Sequence, residues 1–274
     1  MSSRQITIIA NWKANLPPSE EVALAKEIAA RLGSVLPASG PPSGLRLLLA
    51  PSTLGIVPVA SLLRREYPKA GLEVAAQDLS LSGPGAFTGE APAEHFVGIA
   101  PAVLVGHSER RRLHGETDEV VGGKLARAVA AGLAPVLCLG DNLPESDISA
   151  RVTYVQAQCA AALSTAERAG CSLAQLLAAG LVIAYEPVWA IGTGNPATVA
   201  MAEAIATGLR GALNREELPV LYGGSVEAGS AAAWVGTPTS RTGLDGLLVG
   251  GASLSAERFA TIVRAALAVA EPAQ

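Results

Sequence analysis

Eight short apolar runs, spaced roughly 30 residues apart and separated by helix-patterned segments, constrain the fold of this 274-residue chain more than any other feature. The runs are Ile6–Ala10, Leu45–Ala50, Leu72–Ala76, Ala102–Val105, Pro135–Leu139, Leu181–Tyr185, Pro219–Tyr222 and Gly246–Val249. The sixth run lacks the alternation of a half-exposed strand, which suits a parallel strand covered on both faces. Eight such units predict an α/β fold, a single closed (β/α)8 barrel over residues 1–274.

The segments between the runs carry the end signals of helices. Ser19 precedes two glutamates and Gly33 follows the last apolar residue, and Thr117 and Gly132 bracket a later segment in the same way. Small polar residues cap helix starts and glycine follows helix ends, so both segments are predicted helices. An open, doubly wound sheet is the alternative, but Asn11-Trp12-Lys13 follows the first run where a dinucleotide fold has a glycine-rich turn.

The charge of the chain argues against two classes of partner. Its formal net charge is −4, with few charged residues. Proteins that bind nucleic acid or anionic membranes need a concentrated basic surface, so neither partner is expected. The densest basic segment, Arg110-Arg111-Arg112, is interpreted as a solvated helix face or a brace for a neighbouring acidic group, with a polyanion site as the alternative.

The cysteines and the apolar stretches indicate the cellular compartment of the protein. Cys138, Cys159 and Cys171 are scattered and odd in number, without the paired spacing of zinc ligands, so we expect reduced, mostly buried thiols and no metal site. The apolar stretch near the N-terminus is too short for a signal peptide, and no segment reaches the roughly 18 apolar residues of a membrane span. A cytoplasmic protein is expected.

Two glycine turns follow the last two runs. In a barrel the carboxyl ends of the strands meet at one face. Gly223-Gly224-Ser225 and Gly250-Gly251 would lie there, where close backbone approach and free N–H groups make a phosphate site. Lys13, just beyond the first run, would place an ammonium group at the same face, although an isolated lysine is also common on ordinary surfaces. Together these features predict a small phosphorylated substrate.

Glu186 ends the sixth run and is followed by a segment with the composition of a lid. Pro187 fixes the start of this loop, Trp189 gives its middle an apolar anchor, and Gly192 and Gly194 supply flexible backbone at its exit. A carboxylate at a strand end beneath a lid that excludes water suits a proton-abstracting base. The lid is predicted to comprise Val188, Trp189, Ala190, Ile191, Gly192 and Thr193.

His107 follows the fourth run and opens a short predicted helix. The helix dipole should disfavour the protonated imidazole, and a neutral imidazole can donate a hydrogen bond to a substrate oxygen. With Glu186 as base, these groups suit removal of a proton beside the carbonyl of a phosphorylated ketose. The enediolate would form against His107, Lys13 and Asn11. No metal or organic cofactor is required. Two other histidines, His95 and His114, are interpreted as surface residues.

Several motifs resemble signatures of the triosephosphate isomerase family, in that family's order and through nearly the whole chain. They are Asn11-Trp12-Lys13, Gly85-Ala86-Phe87-Thr88-Gly89-Glu90, Val105-Gly106-His107-Ser108-Glu109-Arg110-Arg111, Gly115-Glu116-Thr117-Asp118-Glu119, the Glu186 lid segment, Tyr222-Gly223-Gly224-Ser225-Val226 and Val249-Gly250-Gly251-Ala252-Ser253. The family's enzyme is itself a well-known example of a glutamate base paired with a neutral histidine under a closing loop. The resemblance implies a TIM barrel that interconverts dihydroxyacetone phosphate and D-glyceraldehyde 3-phosphate without a cofactor, in glycolysis and gluconeogenesis.

The resemblance also implies residue roles and an assembly. It makes Glu186 the base and His107 the electrophile, with Lys13 as the catalytic cation. It assigns substrate contacts to Asn11, Lys13, Gly192, Ser225, Gly250 and Gly251, the last four through backbone amides. It further implies a homodimer in which the Gly85–Glu90 loop inserts beside Asn11 and Lys13 of the partner subunit.

The chain departs from the family pattern at a few positions. Asp78 stands where asparagine is usual, Asp141 where glutamate is usual and Ser230 where asparagine is common. Ala38–Gly44 and Gly236–Gly243 are predicted surface excursions, and the second is longer than usual. These departures leave open a paralogous isomerase of a related ketose phosphate, such as a tetrulose (erythrulose) phosphate. A catalytically silent phosphate-binding or interaction barrel is a further alternative, but it would be expected to lack one of the three catalytic side chains.

Overall fold

Eight parallel strands lie side by side in chain order and close into a barrel. The computed structural model describes residues 5–37, 40–42, 44–143, 147–190, 197–236 and 243–270. The strands are β1 Ile6–Asn11, β2 Leu45–Ala50, β3 Leu72–Ala76, β4 Ala102–Val105, β5 Ala134–Asp141, β6 Val182–Pro187, β7 Val220–Tyr222 and β8 Gly246–Val249. Because β1 pairs with both β2 and β8, the sheet is closed and the predicted (β/α)8 barrel is confirmed.

Helices surround the barrel. They are α1 Pro18–Leu32, α2 Ile56–Glu66, α3 Ser108–His114, α4 Asp118–Ala130, α5 Ile148–Arg168, α6 Leu173–Ala178, α7 Val199–Leu213, α8 Ala231–Trp234 and α9 Ala256–Ala270. Short 3-10 turns occur at Ala93–Phe96, Val188–Ala190 and Gly251–Leu254. Neighbouring helices contact each other around the ring, as α1 does with α2 and with α9.

The core has two layers because side chains alternate along each strand. One buried apolar cluster consists almost wholly of strand residues such as Ile9, Leu48 and Leu104, which point into the barrel. The larger cluster includes their neighbours Ile8 and Leu47 and packs the outside of the sheet against the helices. Strands covered on both faces explain why the runs read as continuously apolar.

The largest differences from the predicted boundaries occur at helix α1 and at two strand ends. The expected cap at Ser19 is wrong: α1 begins at Pro18, with Pro17 at the cap position, because proline suits the first helical turn, where no N–H partner is needed. Strands β5 and β6 run beyond their predicted ends to Asp141 and Pro187. As a result Glu186 is held within the sheet, opposite Gly140.

Several smaller expectations are met. The Thr117 hydroxyl caps α4 by accepting a hydrogen bond from the Val120 N–H. Arg110 and Arg111 brace acidic groups: Arg110 contacts Glu116 at 2.8 Å and Arg111 contacts Asp118 at 2.7 Å. The two histidines interpreted as surface residues are exposed.

The thiols lie in the core. All three cysteines are buried and free, as expected. Burial raises the pKa of Cys159 to about 12. Within the described ranges, no helix is long and apolar enough to cross a membrane. The same ranges contain no cluster of His, Cys, Asp and Glu side chains arranged to hold a metal ion.

Candidate active site

A cavity of about 340 Å³ opens at the face where the strands end, within the size range of small-ligand sites. Its lining residues are Asn11, Lys13, His107, Glu186, Gly223, Gly224, Ser225, Val226, Glu227, Leu248, Gly250, Gly251, Ala252 and Arg258. The fold therefore brings together the predicted catalytic and substrate-binding residues. The exception is Gly192, which lies outside the described residues.

Glu186 is almost fully buried beneath this cavity, at the end of β6. One carboxylate oxygen, Oε1, lies 2.8 Å from His107 Nε2. The other, Oε2, accepts a hydrogen bond of 2.8 Å from the backbone N–H of Ser108. Both oxygens are thus engaged by the first residues after β4, so the carboxylate must leave these partners before it can reach a substrate carbon.

Two glycines give the Glu186 backbone and side chain their room. A Cβ on Gly140 would collide with the Glu186 carbonyl oxygen across the sheet. A Cβ on Gly223 would lie 3.1 Å from Glu186 Cγ, tighter than ordinary packing. Gly140 had no predicted role, although a glycine inside a strand pattern is a general sign of close backbone approach.

His107 occupies the cap position of α3, and its two nitrogens have different partners. Nδ1 accepts a hydrogen bond of 3.2 Å from the Glu109 N–H, which leaves Nε2 to carry the proton of a neutral ring. Burial lowers the pKa of His107, but the adjacent Glu186 carboxylate raises it by more, so the net shift is upward. The expected downward shift is wrong for this arrangement because the Glu186 carboxylate outweighs burial.

We expect Glu186→Gln to lower the pKa of His107, because the amide removes the charge that raises it. The imidazole signals should titrate at lower pH in a ¹H–¹⁵N NMR experiment. Glu109→Gln is the matched control, since Glu109 contributes less to the same shift. An unchanged titration in Glu186→Gln would contradict the pairing.

The same shift makes stability depend on pH. A histidine whose pKa is raised on folding stabilises the fold below its ordinary pKa, and this contribution is lost as pH rises through the folded-state value. Glu186→Gln should flatten this part of the stability profile in urea denaturation at several pH values.

Lys13 holds an uncommon backbone conformation at the end of β1. Its φ of 53° lies in the left-handed region, which is rare for residues other than glycine and is concentrated at functional sites. Its N–H donates to Asn11 Oδ1 at 3.1 Å, and Gln77 Nε2 donates to its carbonyl at 2.8 Å. These bonds direct the side chain into the cavity, where Nζ donates to Glu109 Oε1 at 2.7 Å.

Glu109 and Gln77 had no predicted role. Although partial burial raises the pKa of Glu109, the hydrogen bond and charge of Lys13 lower it by more, so Glu109 is held ionised. Glu109 could have been found two residues after His107, in the same motif. Gln77 directly follows β3, which also places it at the carboxyl face of the barrel.

The glycine turns line one side of the cavity and reach the lid. The Ser253 hydroxyl donates to the Gly250 carbonyl at 2.7 Å and fixes the turn that follows β8. The Ser225 hydroxyl donates to the Ala190 carbonyl at 2.9 Å, so the turn after β7 is joined to the start of the lid. Val188–Ala190 form one 3-10 turn, whereas the predicted lid residues Ile191, Gly192 and Thr193 lie outside the described residues.

A buried polar network packs against the start of the lid. The Trp189 ring packs under the Arg151 guanidinium, whose Cζ lies 4.8 Å from the ring centroid. Arg151 forms an ion pair with Asp141, which also accepts a 2.8 Å hydrogen bond from the Tyr185 hydroxyl. Burial raises the pKa of Tyr185, and the Asp141 charge adds to that shift, so the phenol stays protonated. Trp189 is thus anchored as predicted, by a cation as well as by apolar packing.

Comparison with known proteins gives a consistent result. The protein-family model described as triosephosphate isomerase matches residues 6–266. A triosephosphate isomerase of Xanthomonas oryzae pv. oryzae (strain PXO99A) is 38% identical over 272 residues, which cover 97% of this chain and 99% of that protein. A triosephosphate isomerase of Rhodopirellula baltica is 35% identical and covers 96% of this chain and 98% of its own length.

Proposed function

This chain belongs to the triosephosphate isomerase family, and we propose that it interconverts dihydroxyacetone phosphate and D-glyceraldehyde 3-phosphate. The observation that carries the proposal is the contact between Glu186 and His107 at the floor of a cavity that Lys13 also lines. A base, a hydrogen-bond donor and a cation around one small cavity suit proton transfer beside a carbonyl.

In the proposed reaction, Glu186 leaves the Ser108 N–H and takes a proton from C1 of dihydroxyacetone phosphate. The C–H electrons form the C1–C2 double bond and the carbonyl electrons move to O2, giving an enediolate. His107 Nε2–H, freed from Glu186, donates to the substrate oxygens as their charge develops. A proton moves between O1 and O2, and Glu186 returns its proton to C2, which completes glyceraldehyde 3-phosphate.

The remaining residues act on the phosphate and on water. The backbone amides of Ser225, Gly250, Gly251 and Gly192 hold the phosphate, with Lys13 as a counter-charge and Asn11 as a further substrate contact. The lid from Val188 to Thr193 excludes water and keeps the enediolate from losing phosphate. No step requires a metal or an organic cofactor.

The departures at Asp78, Asp141 and Ser230 do not favour a longer substrate. Residues 38, 39 and 43 of the predicted Ala38–Gly44 excursion and residues 237–242 of the predicted Gly236–Gly243 excursion lie outside the described residues. Of the residues described around the cavity, none is Asp78, Asp141 or Ser230. Asp78 accepts hydrogen bonds from Lys124 at 2.7 and 2.8 Å, and Asp141 lies in the network that packs against the start of the lid. The Ser230 hydroxyl contacts the Glu227 carbonyl at 3.2 Å. We therefore retain the tetrulose phosphate only as the competing substrate in the test.

A coupled assay tests the function directly. The purified chain is assayed with dihydroxyacetone phosphate, glyceraldehyde 3-phosphate and erythrulose phosphates, and kcat/KM is compared. We expect the triose phosphates to be the better substrates by at least about tenfold, since one extra carbon in a fitted pocket changes kcat/KM by roughly that factor. Higher kcat/KM on the four-carbon substrate favours the paralogous isomerase, and no turnover of any of them favours the silent barrel.

We propose that the protein works as a homodimer through the Gly85–Glu90 loop. This loop is exposed and presents Phe87 with 51% of its surface accessible, while Leu81 nearby is 46% accessible. Large exposed apolar side chains on one short segment suit an association surface. We also propose that residues 1–274 form one domain and that the protein is cytoplasmic.

The dimer is tested with Phe87→Glu, which would place a charge in the apolar interface. We expect a monomer in size-exclusion chromatography with light scattering, and kcat/KM reduced by roughly tenfold or more because the partner's loop no longer orders the site. Tyr154→Glu, on an exposed part of α5, is the matched control and should change neither. A Phe87→Glu dimer with full activity would overturn this proposal.

A further inference from the structure

We propose that Arg258 is a specificity residue for the phosphate dianion of the substrate. None of the family motifs in this chain includes Arg258. This inference rests on the proposed function of the same cavity. Arg258 lies in the first turn of α9 and lines the cavity together with the glycine turn that follows β8. Its Nη2 donates to the Gly251 carbonyl at 3.3 Å, so the guanidinium is held beside a proposed phosphate amide.

The guanidinium at this position retains unused donor capacity. Its ion-pair partner Glu227 follows β7, and their closest atoms, Arg258 Nη1 and Glu227 Oε2, are 3.8 Å apart. That distance is too long for a hydrogen bond. The planar fork of arginine matches phosphate oxygens with two parallel N–H groups, so Nη1 is placed to turn from Glu227 to an anion in the cavity.

Arg258 and Lys13 hold different positions around the cavity. Of the described lining residues, Lys13 and Arg258 are the cations. Lys13 is closely paired with Glu109 at 2.7 Å, and a Cβ on Gly250 would lie 3.8 Å from Lys13 Cε, so Lys13 reaches the phosphate end from the inner side. Arg258 approaches the same end from the outer rim. A phosphate between them would have one cation on each side.

Arg258 should make the site discriminate between charged and neutral substrates, without changing the chemical step. The Arg258 guanidinium contacts Gly251 and Glu227, at the glycine turns, so kcat should be nearly unaffected. It is also more than half exposed, so solvent screening limits its effect to a few-fold. The ligand class that it favours is a phosphate monoester dianion over a neutral triose.

Arg258→Ala is expected to raise KM for dihydroxyacetone phosphate and Ki for inorganic phosphate by roughly threefold to tenfold, with kcat within about twofold. Turnover of D-glyceraldehyde, which has no phosphate, should stay unchanged. Arg264→Ala is the matched control, because Arg264 is an exposed arginine on the same helix outside the cavity. It removes the same charge and should leave all three values unchanged.

Glu227→Gln should change KM and Ki in the opposite direction. It removes the carboxylate that competes for Arg258 and should lower KM and Ki by about twofold, an effect that disappears when Arg258 is already alanine. Raised ionic strength should shrink the differences between wild type and both variants.

Calorimetric titration with inorganic phosphate separates this inference from the proposed function. If wild type binds phosphate more tightly than Arg258→Ala but turns over no triose phosphate, the function fails and the arginine site stands. If triose phosphates are isomerised and Arg258→Ala binds phosphate like wild type, the arginine site is refuted alone. An equal loss with D-glyceraldehyde would show a structural defect and would also overturn it.

Discussion

Glu186→Gln is expected to lower kcat by roughly two to four orders of magnitude, the contribution of a positioned general base. The amide keeps the size of the side chain but accepts a proton far less readily than a carboxylate does. Glu186 lies at the floor of the cavity, and its two carboxylate oxygens contact His107 and Ser108, not the backbone amides proposed to hold the phosphate. The Ki for inorganic phosphate should therefore stay within about twofold of wild type.

The measurement is a coupled assay in both directions, with phosphate inhibition in the same samples. Exchange of substrate protons with deuterated solvent should fall in parallel, because it reports the same abstraction step. A variant that retains near-normal turnover would remove Glu186 from the role of base. Loss of phosphate binding together with turnover would point instead to a collapsed site.

Arg151→Met is expected to destabilise the fold by about 3–5 kcal/mol, because it leaves the fully buried Asp141 carboxylate without its guanidinium partner. The hydrogen bond from Tyr185 keeps one oxygen satisfied but carries no charge. The variant also removes the group that packs over Trp189. Turnover should therefore fall by roughly tenfold as well, because the lid loses its support.

A second buried pair supplies the control for Arg151→Met. Arg210 donates to Asp245 at 2.6 Å, and Asp245 also accepts from the Val220 N–H at 2.8 Å, at the opposite end of the barrel from the cavity. Arg210→Met should cost a similar free energy of unfolding but leave kcat per folded molecule unchanged.

Urea denaturation at one fixed protein concentration measures both losses. Combining Arg151→Met with Asp141→Leu should recover much of the lost stability, since an apolar pair of similar volume replaces a buried ion pair at little cost. The turnover defect should remain. If Arg151→Met and Arg210→Met have the same kcat, the network does not support the lid.

The sequence contained enough information to predict the barrel because its strands are buried on both faces and read as continuous apolar runs. It also predicted where Glu186 and His107 meet, because topology alone brings strand ends to one face. The shift in the pKa of His107 was not predictable, since its direction depends on a 2.8 Å contact that only side-chain positions define. A bracing arginine such as Arg151 is invisible for the same reason: it lies in the first turn of α5 with no local motif.

Other differences between the predicted and the observed site come from residues that act through contacts with parts of the chain distant in sequence. Gly140 matters because the Glu186 carbonyl passes close to it. Arg258 matters because the 3-10 turn Gly251–Leu254 and the start of α9 bring it back to Gly251, seven residues earlier in the chain. The Ser19 cap was wrong for a local reason, because two preceding prolines start the helix earlier. Sequence patterns thus predict elements and strand ends well, but not contacts between side chains on different elements.

The pairing of β1 with β8 makes the fold depend on residues almost 240 positions apart in the chain. A polypeptide emerging from the ribosome has β1 long before β8, so until synthesis is nearly complete two strand edges have unpaired N–H and C=O groups. Such edges are templates for pairing with other chains. A truncation that removes β8 should therefore yield an aggregating product and not a smaller, partly active one.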